Sequence, residues 1–364
     1  MVESLFQPLS LKSLSLENRF VMSPMTRYFS PGGVATDEVA AYYARRASNE
    51  VGLIITEGIA VDRPASVESP NVPRLHGDEA LAGLQKVVDA VHAETGKIAC
   101  QLWHVGAWYE QSEWTPPAPF EGPSGLKEAG NKTGVPMSEK DIEASIEAFA
   151  AAAANSVKLG FDAIDIHGAH GYLIDQFFWD VTNTREDRWG GGTLRDRSRF
   201  AVEVIKAVRE AVGEDIAIFF RLSQWKIQAY EARMAETPQE LEAWIAPLAE
   251  AGVDVFDCSQ RRFWEPEFDG SDLNFAGWIK KVSGAATMTV GSVGLTTDMM
   301  ASFEVEKTPP GSLDELVRRF ERGDFDLVAV GRALLSDPQW VRKIHEGRRE
   351  ELMDFEPAHL ATLS

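Results

Sequence analysis

The residues best suited to chemistry lie in the segment 164–191, which reads IDIHGAHGYLIDQFFWDVTNTREDRWGG. His167 and His170 are three residues apart at the end of an apolar run, and Tyr172 follows two residues later. Imidazole N–H groups and a phenolic O–H group are hydrogen-bond donors. Their grouping in one short turn indicates a site that binds a carbonyl-type oxygen while a proton is delivered nearby.

The histidine pair has a second interpretation, as ligands of a metal ion. Asp165 or Asp175 would then complete the ligand set, as carboxylates do beside histidines in zinc sites. No other group of His, Asp and Glu residues converges at the predicted strand ends, so we expect no metal centre.

These side chains need a scaffold, and the sequence predicts one from eight apolar runs separated by longer amphipathic stretches. The runs are nearly continuous in hydrophobic residues, as in parallel strands covered on both faces. Eight strands alternating with helices favour an α/β fold, a (β/α)8 TIM barrel made by a single domain over residues 1–364; a doubly wound open sheet is the alternative. The predicted strands are 19–25, 51–58, 97–103, 163–169, 216–222, 253–259, 287–293 and 326–332.

Helices are predicted between the strands, and a small β-hairpin before them. Ser138 and Asp141 have the spacing of a capping box at the start of a helix that reaches Leu159. The early segment LFQPLSLKSLSL (5–16) predicts a hairpin that caps the barrel floor. The other predicted helices run from 78 to 95 and over 195–212, 238–251, 311–322 and 338–347.

The ends of the last two strands are rich in glycine and carry an arginine. In a barrel of this type, active-site residues lie at the C-terminal ends of the strands, and phosphate groups often bind after strands seven and eight. Gly291, Gly294 and Gly331 would let backbone N–H groups approach a phosphate, and Arg332 would add a charged contact. The sequence therefore predicts a phosphate-containing ligand here; turns without a ligand are the alternative.

Composition limits the classes of partner. The 364 residues contain 36 Lys and Arg against 56 Asp and Glu, a formal net charge of −20. This charge argues against nucleic acid or an anionic membrane as a partner. Two cysteines are too few for a four-thiolate cluster, and the sequence shows neither a signal peptide nor a run that could span a bilayer. We expect a cytoplasmic enzyme.

Over nearly its whole length, the chain resembles the Old Yellow Enzyme family of FMN-dependent NAD(P)H:flavin oxidoreductases, or ene-reductases. The motif HGAHGYL, followed by an N-x-R-x-D-x-x-G-G run at 183–191, is the most specific shared feature. The resemblance implies a barrel with one non-covalent FMN at the strand ends. NADPH or NADH and the oxidant would use the same pocket in turn. The other shared segments are LENRFVMSPMTR (16–27), VGLIITEG (51–58), QLWHVG (101–106), GFDAIDIHGAHGYLIDQF (160–177), TVGSV (289–293) and VAVGRALLSDP (328–338).

The resemblance also implies which residues would bind the flavin. Thr26 would donate to the flavin carbonyl beside the reactive nitrogen, and Gln101 would bind the pyrimidine edge. Arg221 would stabilise the anionic reduced flavin with its fixed positive charge. Backbone contacts and phosphate binding are assigned to Pro24, Met25, Gly58, Gly291, Ser292, Val293, Gly331 and Arg332.

For catalysis, the resemblance implies that His167 and His170 bind the oxygen of an α,β-unsaturated carbonyl or nitro compound. Tyr172 would then protonate the α-carbon of the alkene. The expected substrates are small molecules such as enones and nitroalkenes, and the expected assembly is a monomer or a homodimer. Further substrate contacts are predicted for Trp103, Phe263 and Trp264.

Three long loops should set specificity, because loops of this length in a compact barrel are usually functional. The loop 106–137 contains Trp108, Tyr109 and Trp114 and is predicted to be a lid; the other two are 223–237 and 260–272. The run 183–191 is predicted to be structural and to hold the loop beneath the site.

Two other functions remain open from the sequence. One is a metal-dependent hydrolase or isomerase built on the histidine pair. The other is a flavoprotein that binds or stores its flavin, which would react mainly with oxygen or quinones.

Overall fold

A closed barrel of eight parallel strands forms the centre of the computed structural model, which describes residues 2–108 and 114–364. Each strand pairs with the next along the chain, and the eighth pairs with the first. The predicted barrel is therefore confirmed, and the open-sheet alternative is wrong. We number the strands β1 Phe20–Met22, β2 Leu53–Ala60, β3 Ile98–Trp103, β4 Ala163–His167, β5 Ala217–Ser223, β6 Val255–Ser259, β7 Ala286–Val290 and β8 Leu327–Val330.

A main helix follows each strand. The helix after β3 begins with the predicted capping box, in which the Ser138 side chain accepts from the Asp141 N–H and the Asp141 side chain accepts from the Ser138 N–H. No helix in the described residues is long and apolar enough to cross a membrane. The main helices are α1 Asp37–Ala47, α2 Asp78–Ala93, α3 Glu139–Leu159, α4 Arg199–Val212, α5 Pro238–Glu250, α6 Phe275–Ser283, α7 Asp314–Arg322 and α8 Trp340–His345.

Shorter elements lie in the loops. The loop 106–137 carries four short strands, Glu121–Gly122, Leu126–Glu128, Asn131–Lys132 and Val135–Pro136. Tyr109 of this loop lies outside the described residues. The short α-helices are Leu173–Phe178, Leu194–Arg197, Met299–Phe303 and Arg332–Ser336, and the 3-10 turns are Glu3–Phe6, Pro31–Gly33, Arg349–Glu351 and Pro357–Ala361.

The predicted hairpin is present at the floor of the barrel. Its strands, Leu9–Leu11 and Leu14–Leu16, pair in antiparallel fashion. Leu14 and Leu16 are buried in one hydrophobic cluster with side chains from the barrel strands. The hairpin therefore closes one end of the barrel, and the ligand-accessible space lies at the other.

Both cysteines belong to the barrel wall. Cys100 lies in β3 and Cys258 in β6, and neither is accessible to solvent. The barrel strands as a group are almost completely buried, as expected for parallel strands between a filled interior and an outer layer of helices.

Candidate active site

A cavity opens at the C-terminal ends of the strands. All eleven residues that the resemblance assigns to cofactor binding line it. His167, His170, Tyr172 and Trp103 line it as well, so the fold brings these distant segments to one place. The eleven residues are Pro24, Met25, Thr26, Gly58, Gln101, Arg221, Gly291, Ser292, Val293, Gly331 and Arg332.

A buried glutamate fixes the segment that carries Thr26. Glu57 Oε2 in β2 accepts from the backbone N–H of Arg27 at 2.9 Å. The N–H of Glu57 in turn donates to Tyr43 Oη in α1 at 2.8 Å. Burial raises the pKa of Glu57 to about 7, against the opposing effect of its hydrogen bond from Arg27. These hydrogen bonds link the turn after β1 to β2 and α1, and Thr26 in this turn lines the cavity.

Two buried carboxylates hold the polar end of the cavity. Gln101 Nε2 donates to Asp165 Oδ2 at 2.7 Å, and the guanidinium of Arg221 pairs with Asp257. Each pair sits on neighbouring strands in direct register. Burial, and after it the charge of Asp257, raises the pKa of Asp165 to about 7. These two carboxylates orient the amide of Gln101 and the guanidinium of Arg221 at the polar end of the cavity.

His167 lies at the end of β4 and is neutral. Burial lowers its pKa well below the ordinary value, and Arg221 lowers it further. Its Nδ1 accepts from the backbone N–H of Ala169 at 3.3 Å. A neutral imidazole that accepts at Nδ1 carries its proton on Nε2. His167 therefore offers an uncharged N–H donor.

His170 adopts a left-handed backbone conformation, with φ 65°. Its N–H donates to Ser223 Oγ at 3.0 Å, its Nε2 lies 2.8 Å from Ser259 Oγ, and its ring stacks on Trp225 with centroids 4.3 Å apart. Burial lowers its pKa well below the ordinary value, and the charge of Arg221 adds to this effect. The imidazole of His170 is therefore also neutral, and the residue is held in place by Ser223, Ser259 and Trp225.

Tyr172 completes this wall within a group of aromatic rings. Its ring centroid lies 5.0 Å from that of His167, 5.1 Å from Trp103 and 5.3 Å from Trp108. Edge-to-face contacts of this kind restrict ring orientation. Two neutral imidazoles and a phenol thus share one side of the cavity.

A glycine and an arginine form another part of the wall, after β7 and β8. Gly291 has φ 140°, and a Cβ there would clash with the carbonyl of Gln260. Arg332 donates to the carbonyls of Asp298 and Thr297, each at 3.0 Å. Burial lowers the pKa of Arg332 to about 10, with the charge of Asp298 opposing this effect. The end of the cavity after these strands carries a half-buried positive charge.

These groups fit flavin mononucleotide, the cofactor that the resemblance implies. Asp165 and Asp257 each keep one buried carboxylate oxygen that lacks a hydrogen-bond partner in the described structure. A Cβ at Gly331 would meet no atom closer than 3.6 Å, so the backbone there opens onto free space. A polar ring edge would lie near Gln101 and a phosphate near Arg332.

Phe263 and Trp264, predicted to contact the substrate, do not line this cavity. The N–H of Phe263 donates to the carbonyl of Gly291 at 3.1 Å, and its ring packs edge-on against Trp264 in the hydrophobic core. Both residues border a separate depression, together with Arg319. After Arg261 the chain turns away from the cavity and Phe263 enters the core, a direction that the residue types did not indicate.

The sequence did not assign several other lining residues. Trp225, Ile227 and Tyr230 belong to the loop 223–237, which was predicted to shape the pocket as a group. Ser259 and Gln260 are at the end of β6, where a residue-by-residue reading of strand ends could have found them. The remaining unassigned residues are Ser23, Arg261, Val290, Leu295, Met299, Phe303, Ala329, Leu335 and Leu360.

The metal interpretation of the histidine pair finds no ligand set in the described residues. The rings of His167 and His170 lie 5.2 Å apart at an angle of 87°. Within 2–108 and 114–364, no group of three or more His, Cys, Asp or Glu side chains is arranged to hold a metal ion. Asp175, a candidate ligand, instead pairs with Lys226 at 3.0 Å, both fully buried.

Comparisons with known proteins agree with this site. A family model described as the NADH:flavin oxidoreductase / NADH oxidase family matches residues 4–351. The chain is 40% identical over 356 residues to 12-oxophytodienoate reductase 7 of Oryza sativa subsp. japonica, covering 93% of this chain and 87% of that protein. It is 33% identical over 361 residues to an NADH oxidase of Thermoanaerobacter brockii, where it covers 96% of its own length but only 52% of that protein.

Among solved structures, the chain is similar to morphinone reductase in complex with tetrahydroNAD. The two share 27% sequence identity, with a TM-score of 0.80. The match covers 98% of this chain and 93% of the other. The similarity therefore includes the barrel and its loops.

Proposed function

Because the chain belongs to the NADH:flavin oxidoreductase / NADH oxidase family, of the Old Yellow Enzyme type, we propose that it is an FMN-dependent ene-reductase. Members of this family use FMN with NADH or NADPH. The proposed reaction reduces the activated C=C bond of an α,β-unsaturated carbonyl or nitro compound. The observation that carries the proposal is the grouping of two neutral imidazoles with Tyr172 on one wall of the cavity.

The histidines would act on the substrate oxygen. FMN, once reduced by the nicotinamide, supplies the hydride that reaches the alkene. Negative charge then grows on the carbonyl or nitro oxygen, and N–H donors fixed in advance stabilise it by roughly 3–4 kcal/mol each. His170 Nε2 is already hydrogen-bonded to Ser259 Oγ, so the substrate oxygen would share or replace that partner.

Tyr172 would supply the proton to the α-carbon. It is held by Trp103 and Trp108, and this packing limits the directions from which its hydroxyl can approach a substrate. A phenolic O–H group is a hydrogen-bond donor and can act as a general acid.

The reaction of the reduced protein with an alkene tests the proposal. We expect the purified protein to be yellow and its reduced form, mixed anaerobically with 2-cyclohexenone, to reoxidise far faster than in buffer alone. Reoxidation that is no faster than in buffer would rule out ene-reduction for this substrate class. The same mixing with oxygen or a quinone separates ene-reduction from a flavoprotein that reacts mainly with those oxidants.

Phenol binding tests the assignment of the donors. Phenolate ligands present an oxygen to the two imidazoles without reacting. We expect His167→Ala with His170→Ala to weaken phenol binding to the oxidised protein about 100-fold, because two charge-assisted hydrogen bonds of roughly 1.5 kcal/mol or more are lost. Spectral titration measures the affinity, and His345→Ala, which changes an exposed histidine outside the cavity, is the control. Unchanged affinity in the double variant would refute the donor pair.

A further inference from the structure

The last part of the sequence returns to the mouth of the cavity. The family-model match ends at residue 351, whereas the 3-10 turn Pro357–Ala361 lies beyond it. We call residues 357–364 the tail. Leu360 of the tail lines the cavity although its side chain is 38% exposed. The tail is therefore a part of the site that the shared family region does not include.

Arg27 binds the tail from the side of β1. Its Nη2 donates to the carbonyls of Leu360 at 3.1 Å and Thr362 at 2.6 Å. Its guanidinium lies over the ring of Tyr42, 4.9 Å from the centroid. Arg27 is only 4% exposed, and within the described residues every hydrogen-bond acceptor of its guanidinium is a tail carbonyl. Displacing the tail would therefore remove every protein acceptor of this guanidinium.

Two arginines at the end of α1 bind the residues after Leu360. Arg45 and Arg46 donate to the carbonyls of Leu363 and Ser364. Arg46 also donates to the carbonyl of Leu334 at 3.0 Å, in the short helix that borders the cavity. Arg46 is completely buried, so these bonds are protected from water. The tail is therefore held by α1, and Arg46 of α1 is also hydrogen-bonded to a short helix of the cavity wall.

The two ends of the cavity differ in chemistry, and so do the two edges of a flavin ring. Gln101 and Arg221 form a polar end, which suits the pyrimidine edge with its carbonyl and N–H groups. The dimethylbenzene edge is apolar and fits an apolar wall. Leu360 is one of the apolar side chains that line the cavity, with Met25, Met299, Phe303 and Leu335.

From this match, we infer that Leu360 is a flavin-binding residue that covers the dimethylbenzene edge, and that the tail retains the bound cofactor. The inference rests on the proposed use of FMN. The contact is made by a side chain outside the residues that the family model matches.

The affinity for FMN tests the inference. Leu360→Ala removes most of the apolar contact, so the dissociation constant of FMN should rise about tenfold and its release should be faster. The measurement is a titration of the full-length apoprotein with FMN, followed by the quenching of flavin fluorescence. Met353→Ala is the matched control, since Met353 is similarly exposed (44%) but does not line the cavity. A dissociation constant for Leu360→Ala within twofold of the wild type would overturn the inference.

A flavin analogue locates the contact on the ring. FMN without its 7- and 8-methyl groups should bind the wild type more weakly than FMN does. It should bind Leu360→Ala and the wild type almost equally, because the methyl groups and the leucine side chain are the two partners of one interaction. If Leu360→Ala bound FMN and the analogue each tenfold more weakly than the wild type does, the leucine would not contact the methyl groups. That result would refute the contact.

The two proposals fail in different ways. If the wild-type apoprotein does not bind FMN, the proposed function is wrong. If it binds FMN and Leu360→Ala binds it equally well, only the role of the tail is wrong. Deletion of residues 357–364 is a second variant, expected to release FMN at least as fast as Leu360→Ala. Slow, wild-type release from a folded deletion variant would also refute the role of the tail.

Discussion

The ring of Tyr172 makes edge contacts with Trp103 and His167, and its hydroxyl is the group proposed to react. Tyr172→Phe should therefore keep the ring in the cavity wall and remove the hydroxyl with its transferable proton. We expect flavin reduction by NADPH or NADH to change little and alkene reduction to slow about 10²-fold. Anaerobic stopped-flow measurements follow the two half-reactions separately.

Tyr28→Phe is the control for this substitution, because Tyr28 is an exposed tyrosine outside the cavity. It should leave both half-reactions at the wild-type rate. If Tyr172→Phe slowed flavin reduction as much as alkene reduction, the role of Tyr172 would be structural.

The raised pKa of Asp165 should make the stability of the apoprotein depend on pH. Its pKa is about 7, raised by burial and then by Asp257, whereas an aspartate in an unfolded chain titrates near 4. The folded state thus binds this proton more tightly, so the stabilisation is complete below about pH 4 and is lost as pH rises through about 7. Asp165→Asn should reduce the fall in Tm of the apoprotein between about pH 5 and pH 8.

Part of the pH dependence should remain in Asp165→Asn, because burial also raises the pKa of Glu57 and Glu267 to about 7. Asp269→Asn, in an exposed loop, is the control and should retain the wild-type slope. A Tm profile of Asp165→Asn parallel to that of the wild type would contradict the assignment.

Residue types and order were enough to predict which side chains meet at the cavity, but not every direction in which they point. The cofactor-binding set was assigned from the family resemblance, whose motifs lie in or directly after the barrel strands. Phe263 and Trp264 have the aromatic character of substrate contacts, yet a hydrogen bond from Phe263 to Gly291 turns that loop into the core. Leu360 had no motif at all, since its position depends on three arginines distant in sequence.

At the scale of elements, the run 183–191 anchors the loop 106–137. Arg185 Nη1 donates to the carbonyls of Pro123 at 2.8 Å and Met137 at 2.6 Å. Arg185→Met removes both bonds and should make this loop open more often. We expect limited proteolysis within 106–137 to become several-fold faster, as measured by mass spectrometry of the fragments.

Arg188→Met is the matched control for Arg185→Met. Arg188 is 55% exposed and pairs with Glu139 at the surface, where an ion pair contributes little. Its loss should leave the cleavage rate unchanged. Equal rates for Arg185→Met and the wild type would show that other contacts hold the loop.

The strands were predictable because an almost continuous run of apolar residues is typical of a parallel strand that is buried on both faces. Two of the elements that were not predicted bury polar side chains. Arg46 and two tyrosines lie on the buried face of α1, so this face is not a purely apolar stripe in the sequence. All six residues of the helix Leu173–Phe178 are buried, including Asp175, so no polar face marks its period.

For the molecule as a whole, the hairpin floor should contribute to stability independently of the cavity. Leu16 is buried inside the barrel cluster, and Ser15 beside it points to solvent. Leu16→Ala should lower the free energy of unfolding by about 2–5 kcal/mol, whereas Ser15→Ala should change it little. Urea unfolding measures both variants. FMN affinity should be unaffected, and a large loss of affinity in Leu16→Ala would show that the two ends are coupled.

Burial of Cys100 and Cys258 makes the folded protein inert to thiol reagents. It raises the pKa of Cys100 to about 12 and that of Cys258 well above its ordinary value, and alkylating reagents attack the thiolate. A single cysteine introduced at the exposed Thr362 would therefore be the only site modified by a maleimide dye or a spin label. Movements of the cavity mouth can then be followed by spectroscopy in a chain that keeps both of its native cysteines.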